Sequence, residues 1–98
     1  MTSVAFLPRA AEEMNEAARF YEERAAGLGA DFLDEIERVV QSIAERPDMG
    51  RQLGNDTLRR ITRRFPFGVL YKRESAARIV IVAVCHLRRR PNYWRDRL

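Results

Sequence analysis

Two groups of arginines in the second half of the chain have a spacing that suggests chemistry. The first group is Arg59, Arg60, Arg63 and Arg64, and the second group is Arg88, Arg89 and Arg90. A guanidinium group can bind phosphate or carboxylate through two parallel hydrogen bonds, so arginines gathered on one surface would form an anion-binding patch. The alternative is that both groups are solvated and bind nothing specific.

The only histidine of the chain and two aromatic residues flank the second arginine group. His86 precedes it, and Tyr93 and Trp94 follow it. A histidine beside positive charges could transfer the proton in phosphodiester cleavage by a 2′-hydroxyl, with Tyr93 or Glu74 as the second acid or base. The aromatic rings could stack on nucleic-acid bases. They could equally fold back over a sheet edge, with His86 as a rim residue.

Several other chemistries are excluded by residue type. One cysteine and one histidine cannot form a closed metal site, and no glycine-rich phosphate loop is present, so we predict no metal and no cofactor. Strict alternation along a strand would place Cys85 with Ile79, Ile81 and Ala83, and His86 on the opposite face with Val80, Val82 and Val84. A thiol–imidazole pair is therefore not expected, and Cys85 is interpreted as a core residue.

The charges of the chain divide sharply between its halves. Residues 1–50 carry 5 Arg against 11 Asp and Glu, a net charge of −6, and residues 51–98 carry 13 Arg and Lys against 3 acids, a net charge of +10. Together they give the +4 of the whole chain. The asymmetry suggests an acidic partner or a polyanion for the second half, unless the two halves pack together and neutralise each other.

The length and the apolar segments restrict the kind of protein. A chain of 98 residues favours one domain, covering residues 1–98. The longest apolar stretch, residues 79–85, is far shorter than the ~20 residues that cross a bilayer, and the N-terminal sequence does not resemble a signal peptide. With one cysteine, the chain cannot form an internal disulfide. We therefore expect a cytoplasmic protein without membrane contact.

The first half of the chain predicts a strand over residues 2–7 and then two helices. The apolar stripe of the first helix is Ala11, Met14, Ala18, Tyr21 and Ala25, and its outer glutamates are Glu12, Glu13, Glu16, Glu22 and Glu23. After a glycine break at residues 27–29, the second helix is expected to start with Asp31 as its cap and to end before Pro47. The short connection predicts an antiparallel helical hairpin.

The second half predicts a loop over residues 47–57 and then three strands. These cover residues 58–63, residues 67–73 and Arg78–His86, with a short helical turn after Pro91. The last strand is apolar throughout, so we expect the hairpin on one of its faces and the C-terminal tail or a further layer on the other. The predicted fold is α+β with the order β-α-α-β-β-β, a helical hairpin packed on a small, mostly antiparallel sheet.

Three segments of the sequence resemble the RelE/ParE toxin superfamily. They are residues 65–73, the strand Arg78–His86, and the closing pattern H-x-R-R-x-P-x-x-W from His86 to Trp94. The resemblance covers nearly the whole chain. It implies a toxin of a type II toxin–antitoxin, plasmid-stabilisation system, which inhibits growth until a small cognate antitoxin wraps around it.

The branches of this superfamily differ in their target. The RelE-like branch cleaves mRNA on the ribosome, and the resemblance would then make His86, Tyr93, Arg59 and Arg88 catalytic. Gly68 and Leu87 occupy positions where that branch carries arginine, so Arg60, Arg63 or Arg88 would have to substitute.

The ParE-like branch inhibits DNA gyrase without hydrolytic chemistry, and this sequence is more similar to it. Contact with the target or an anion would then involve Arg60, Arg63, Arg64, Arg89, Arg90 and Trp94. A nucleic-acid-binding module without catalysis is the third alternative. The antitoxin is expected on the groove of the helical hairpin and the basic sheet face.

Overall fold

The computed structural model describes residues 2–54 and 56–98. The chain runs through β1 (Ser3–Phe6), α1 (Pro8–Arg24), α2 (Leu28–Glu45), β2 (Arg51–Gly54), β3 (Thr57–Ile61), β4 (Phe67–Ser75) and β5 (Arg78–His86). Short 3-10 turns cover Pro47–Met49 and Arg95–Arg97. The predicted α+β order is confirmed, with one strand more than the sequence indicated. In the part of the chain that is described, neither helix is long and apolar enough to cross a membrane.

The additional strand β2 lies inside the segment that was predicted to be a loop. It pairs antiparallel with β3, with Gln52 opposite Leu58 and Gly54 opposite Thr57. Gly54 has a φ of 124°, a conformation that residues with a side chain rarely adopt, and it lets the strand end in a tight reversal. The glycines of this segment therefore lie beside and at the end of a short strand, which is why the composition suggested a loop.

All five strands form one sheet with the order β1-β5-β4-β3-β2. β1 pairs parallel with β5, and the other neighbours are antiparallel. The hairpin of α1 and α2 carries the chain from β1, at one edge of the sheet, to β2, at the opposite edge. Strand β5 consequently lies inside the sheet, as expected of an apolar strand.

The helical hairpin packs on one face of this sheet. Its buried residues are Ala10, Ala17 and Ala18 on α1 and Phe32, Ile36, Val39 and Ile43 on α2. Helix α2 begins at Leu28, earlier than predicted, because Gly27 takes a φ of 88° and the Glu22 carboxylate accepts hydrogen bonds from the N–H groups of Gly27 and Gly29. The prediction of Asp31 as the cap was therefore wrong.

The opposite face of the sheet is covered by the C-terminal tail. Trp94 packs there with Leu70, Val82 and Ala83, and Leu53, Cys85 and Tyr93 border this second core. The prediction that β5 is covered on both faces is confirmed. We call this side of the sheet the tail face and the other side the helix face.

A β-bulge in β5 changes which residues share a face. Leu70 pairs with Ala83 and Tyr71 pairs with Ile81, so Val82 has no partner on β4 and the alternation shifts by one residue. Val84 consequently joins Ile79 and Ile81 on the helix face. Strict alternation, which the sequence argument assumed for this strand, was therefore wrong beyond Val82.

The two residues at the end of β5 are on the faces opposite to those predicted. Cys85 is on the tail face with Ala83, and not with Ile79 and Ile81. His86 follows Val84, and its ring contacts the Phe67 ring at 5.5 Å between centroids. The two side chains still point away from each other, so no thiol–imidazole pair is formed.

Candidate functional site

The C-terminal tail is held by Glu13, a residue of α1. The Glu13 carboxylate accepts hydrogen bonds from the Tyr93 hydroxyl at 2.6 Å and from the Arg97 guanidinium at 2.7 and 2.9 Å. The side chains of Glu13 and Arg97 are 15% and 9% exposed. This is a largely buried ion pair that joins the tail to the first helix.

The side chains of Glu13 and Arg97 also form hydrogen bonds with the backbone of β5, beyond the point where β1 ends. The Leu7 N–H donates to the Ile81 carbonyl at 2.9 Å, after which the chain turns into α1 at Pro8. Beyond that point, Glu13 accepts a hydrogen bond from the Val84 N–H and Arg97 donates one to the Val82 carbonyl, both at 3.1 Å. Two side chains thus replace a strand at this edge.

The pKa values at this anchor keep both groups in fixed protonation states. Burial would raise the pKa of Glu13, but hydrogen bonds from Arg97, Tyr93 and Val84 together lower it below its ordinary value. Burial and the hydrogen bond to Glu13 raise the pKa of Tyr93 far above its ordinary value. Tyr93 therefore stays a neutral donor to Glu13 near neutral pH and is poorly suited to act as a base.

Sequence reasoning missed this anchor because it placed Glu13 on the outer acidic face of α1. That placement was wrong: Glu13 lies three residues after Ala10 and four before Ala17, both of which are buried. The spacing was a signal that Glu13 borders the apolar stripe. Arg97 gave no such signal, since it is one of many arginines near the end of the chain.

A cavity of about 180 Å³ opens on the tail face beside this anchor, and we call it the tail pocket. Its apolar lining is Leu53, Leu70, Cys85, Leu87, Pro91 and Trp94, and its polar lining is Arg59, His86, Arg89, Arg90, Asn92 and Tyr93. Burial raises the pKa of the Cys85 thiol, so the thiol stays protonated and unreactive.

Arg59 reaches the tail pocket across β4 at a glycine. A β-carbon at Gly68 would lie 3.1 Å from Cδ of Arg59, closer than nearly all such contacts in proteins. Gly68 therefore provides the space in which the aliphatic part of Arg59 lies. The Nε atom of Arg59 is buried and has no hydrogen-bond partner within residues 2–54 and 56–98.

The other members of the first arginine group are on the opposite side of the molecule. Arg60 donates to the Ser42 hydroxyl at 2.7 Å, and Arg64 forms an ion pair with Asp31 at 3.1 Å. The backbone N–H of Arg63 donates to Glu35 on α2. Only Arg59 of this group is joined with Arg89 and Arg90 around the tail pocket.

The proposed proton-transfer residues are not arranged for cleavage. His86 is exposed and its Nδ1 accepts a hydrogen bond from the Arg88 N–H at 3.0 Å, while the Tyr93 hydroxyl is directed to Glu13. Glu74 pairs with Arg78 near the other end of β5. No three His, Cys, Asp or Glu side chains of the described residues are grouped so that they could hold a metal ion.

The aromatic side chains of the tail are also occupied. Trp94 is 5% exposed and packs in the second core, which corrects the expectation that its ring is available to a target. The guanidinium groups of Arg89 and Arg97 lie 4.2 and 5.0 Å from the centre of the Tyr93 ring. Packing over the sheet, the alternative interpretation of this pair, is what the structure shows.

Comparison with known proteins adds a family and a structural relative. The family model described as "ParE toxin of type II toxin-antitoxin system, parDE" matches residues 4–91. A search of curated proteins found no match. Among solved structures, a chain of the "Chromosomal ParDE TA system from P. aeruginosa" is similar at a TM-score of 0.63 and 13% identity, over 88% of this chain and 96% of that chain. At that identity, the likeness shows the fold.

Proposed function

This chain belongs to the family of ParE toxins of type II toxin–antitoxin systems, and from that membership we propose that its target is DNA gyrase. It is the toxin component of such a system. In the proposal, residues 1–98 act as one toxin domain in the cytoplasm, and a cognate antitoxin binds the toxin and prevents inhibition of gyrase.

One observation supports a target that is bound and not cleaved. The Tyr93 hydroxyl donates to Glu13, and Gly68 and Leu87 stand where the RelE-like branch carries arginine. A ribonuclease needs a base and a charge clamp around the scissile phosphate. The tail of this chain is instead fixed by the ion pair of Glu13 and Arg97, and a fixed surface suits the binding of a partner.

Purified protein and purified gyrase test the proposal. We expect the toxin to inhibit supercoiling and to accumulate gyrase–DNA complexes with broken strands, and we expect an excess of antitoxin to abolish both effects. Unaffected supercoiling together with codon-phased cuts in cellular mRNA would replace this proposal with ribosome-dependent cleavage. Salt-sensitive binding to DNA or RNA, without either effect, would indicate a nucleic-acid-binding module.

A groove between the helices supports the proposed antitoxin contact. It encloses about 360 Å³ and is lined by Phe6, Met14, Asn15, Leu33, Ile36, Glu37 and Val40. Strand β1 lies at one edge of the sheet beside this groove, so an apolar helix and an added strand of one partner could bind together.

A pair of matched variants separates this contact from toxicity. Leu33→Glu places a charge in the groove, whereas Met49→Glu places one on another exposed apolar residue outside it. We expect both variants to arrest growth and only Leu33→Glu to escape suppression by the antitoxin. Suppression of both variants by the antitoxin would contradict the groove as the contact surface.

A further inference from the structure

We propose that the tail pocket receives a carboxylate side chain from an acidic segment of a protein partner. This inference rests on the function proposed above, since a toxin that acts by binding proteins needs a site for a protein segment. It goes further by naming the site and the chemistry of the group that enters it.

The first support is the buried Nε of Arg59. It lies away from solvent and finds no acceptor among the residues that the structure describes. A buried polar group without a partner destabilises a protein, and more so if it is charged. An acceptor oxygen from outside the chain, entering the tail pocket beside Arg59, would remove this penalty.

The second support is the charge of the lining. Arg59, Arg89 and Arg90 line the tail pocket, and none of the described residues that line it is Asp or Glu. Elsewhere in the basic half, Arg64, Arg73, Arg78 and Arg97 form ion pairs with Asp31, Asp48, Glu74 and Glu13 in that order. The tail pocket is thus a concave site of uncompensated positive charge, which attracts an anionic group.

The third support favours a protein carboxylate over a nucleic acid. Nucleic-acid sites of this kind stack bases on exposed aromatic rings. Here the Trp94 ring is buried, and the Tyr93 ring is covered by the guanidinium groups of Arg89 and Arg97. Leu53, Leu70, Leu87 and Pro91 add aliphatic surface to the arginines, so the lining suits an acidic side chain with apolar neighbours.

The only tryptophan of the chain provides the measurement. Trp94 lines the tail pocket, so its fluorescence should respond when the pocket is filled. The probe is a capped peptide of leucine, glutamate and leucine, and its controls contain glutamine in place of glutamate. We expect saturable binding of the acidic peptide at a dissociation constant on the order of 1 mM, with the control peptide about tenfold weaker.

The NMR signal of the Arg59 side-chain Nε–H is an independent readout. We expect the acidic peptide to shift it, because a carboxylate oxygen would become its acceptor. A single-stranded RNA oligonucleotide and inorganic phosphate are titrated in parallel. Equal binding of both peptides, tighter binding of the RNA than of the acidic peptide, or no change in either signal would overturn the proposal.

Paired variants locate the effect in the tail pocket. Arg59→Gln is compared with Arg63→Gln, and Arg90→Gln with Arg88→Gln, since Arg63 and Arg88 lie outside the lining. We expect about a tenfold loss for the first member of each pair and no loss for the second. The exposed Arg90 keeps the test decisive if Arg59→Gln fails to fold.

The gyrase experiment separates this inference from the function on which it rests. Gyrase inhibition without peptide binding would contradict the carboxylate site in the tail pocket and leave the proposed target in place. Peptide binding that depends on Arg59, without gyrase inhibition, would leave the carboxylate site in place and overturn the target.

Discussion

At the scale of single residues, the Glu13 carboxylate connects more parts of the fold than any other acidic side chain that the structure describes. It accepts hydrogen bonds from Tyr93, from Arg97 and from the Val84 N–H. A carboxylate in this position is stabilised by its partners, and each partner is left without an acceptor if the charge is removed. Only its spacing from the buried Ala10 and Ala17 distinguishes Glu13 from the other glutamates of α1, and nothing in the sequence indicates its partners.

We expect Glu13→Gln to lower the free energy of unfolding by about 3 kcal/mol, because the largely buried Arg97 loses its counter-charge. Glu12→Gln, on the exposed side of the same helix turn, should change it by less than about 0.5 kcal/mol. Urea unfolding followed by circular dichroism measures both. Equal stabilities of the two variants would contradict the role given to Glu13.

Acid should destabilise the fold through two glutamates. The pKa of Glu13 is lowered, and the hydrogen bond from Arg38 lowers the pKa of Glu35 from 4.5 to about 2. A carboxyl whose pKa is lower in the folded state adds stability above its unfolded pKa, and this stability is lost as the pH falls through the folded value.

The unfolding free energy should therefore be level above about pH 5 and fall toward pH 2. Urea midpoints measured across this range test the expectation, with the double variant Glu13→Gln, Glu35→Gln as comparison. An equal loss of unfolding free energy in the double variant would show that other titratable groups cause the loss of stability in acid.

At the scale of elements, β5 shows how far the sequence could predict the fold. Its bounds were predicted as the structure has them, because five β-branched residues between Ile79 and Val84 stand between polar turns. The bulge at Val82 was not predicted, since it depends on how β4 pairs with β5 and no residue type marks it. Strand β2 was not predicted because its four residues, which follow one glycine and end in another, are too few to show the alternation of a strand.

The open edge of β5 makes a prediction about the tail. In Arg97→Met, the Val82 carbonyl loses its donor and Glu13 loses its charge partner. We expect hydrogen exchange at the Val84 N–H to accelerate at least about tenfold, because its acceptor is no longer held in place. Arg95→Met, at an exposed residue, serves as the control. Unchanged exchange at Val84 in Arg97→Met would contradict the role of Arg97 in holding Glu13 against β5.

At the scale of the whole molecule, the acidic and basic halves partly neutralise each other. Asp31 on α2 pairs with Arg64, Asp48 pairs with Arg73, and Glu13 pairs with Arg97. The first two pairs are exposed and contribute little to stability. The charge split is therefore in part a feature of packing, as the sequence left open, and three arginines outside any of these ion pairs line the tail pocket.

Salt should consequently affect association far more than folding. Between about 50 mM and 500 mM sodium chloride, we expect the free energy of unfolding to change by less than about 1 kcal/mol. Over the same range, the association rate with an acidic antitoxin should fall by about tenfold or more. Stopped-flow fluorescence of Trp94 gives the rate, and a rate that does not respond to salt would contradict electrostatic steering.

The bulge at Val82 has a consequence for how this surface can change over evolutionary time. Loss of the single codon for Val82 would remove the unpaired residue and leave Leu70 opposite Ala83 and Tyr71 opposite Ile81, so Cys85 and His86 would keep their faces. Strand β5 therefore holds one residue that it can lose without turning any side chain of the tail-pocket lining to the other face. A change of one residue in the length of β5 thus preserves the lining here, whereas in a strictly alternating strand it would exchange the faces of every residue beyond it.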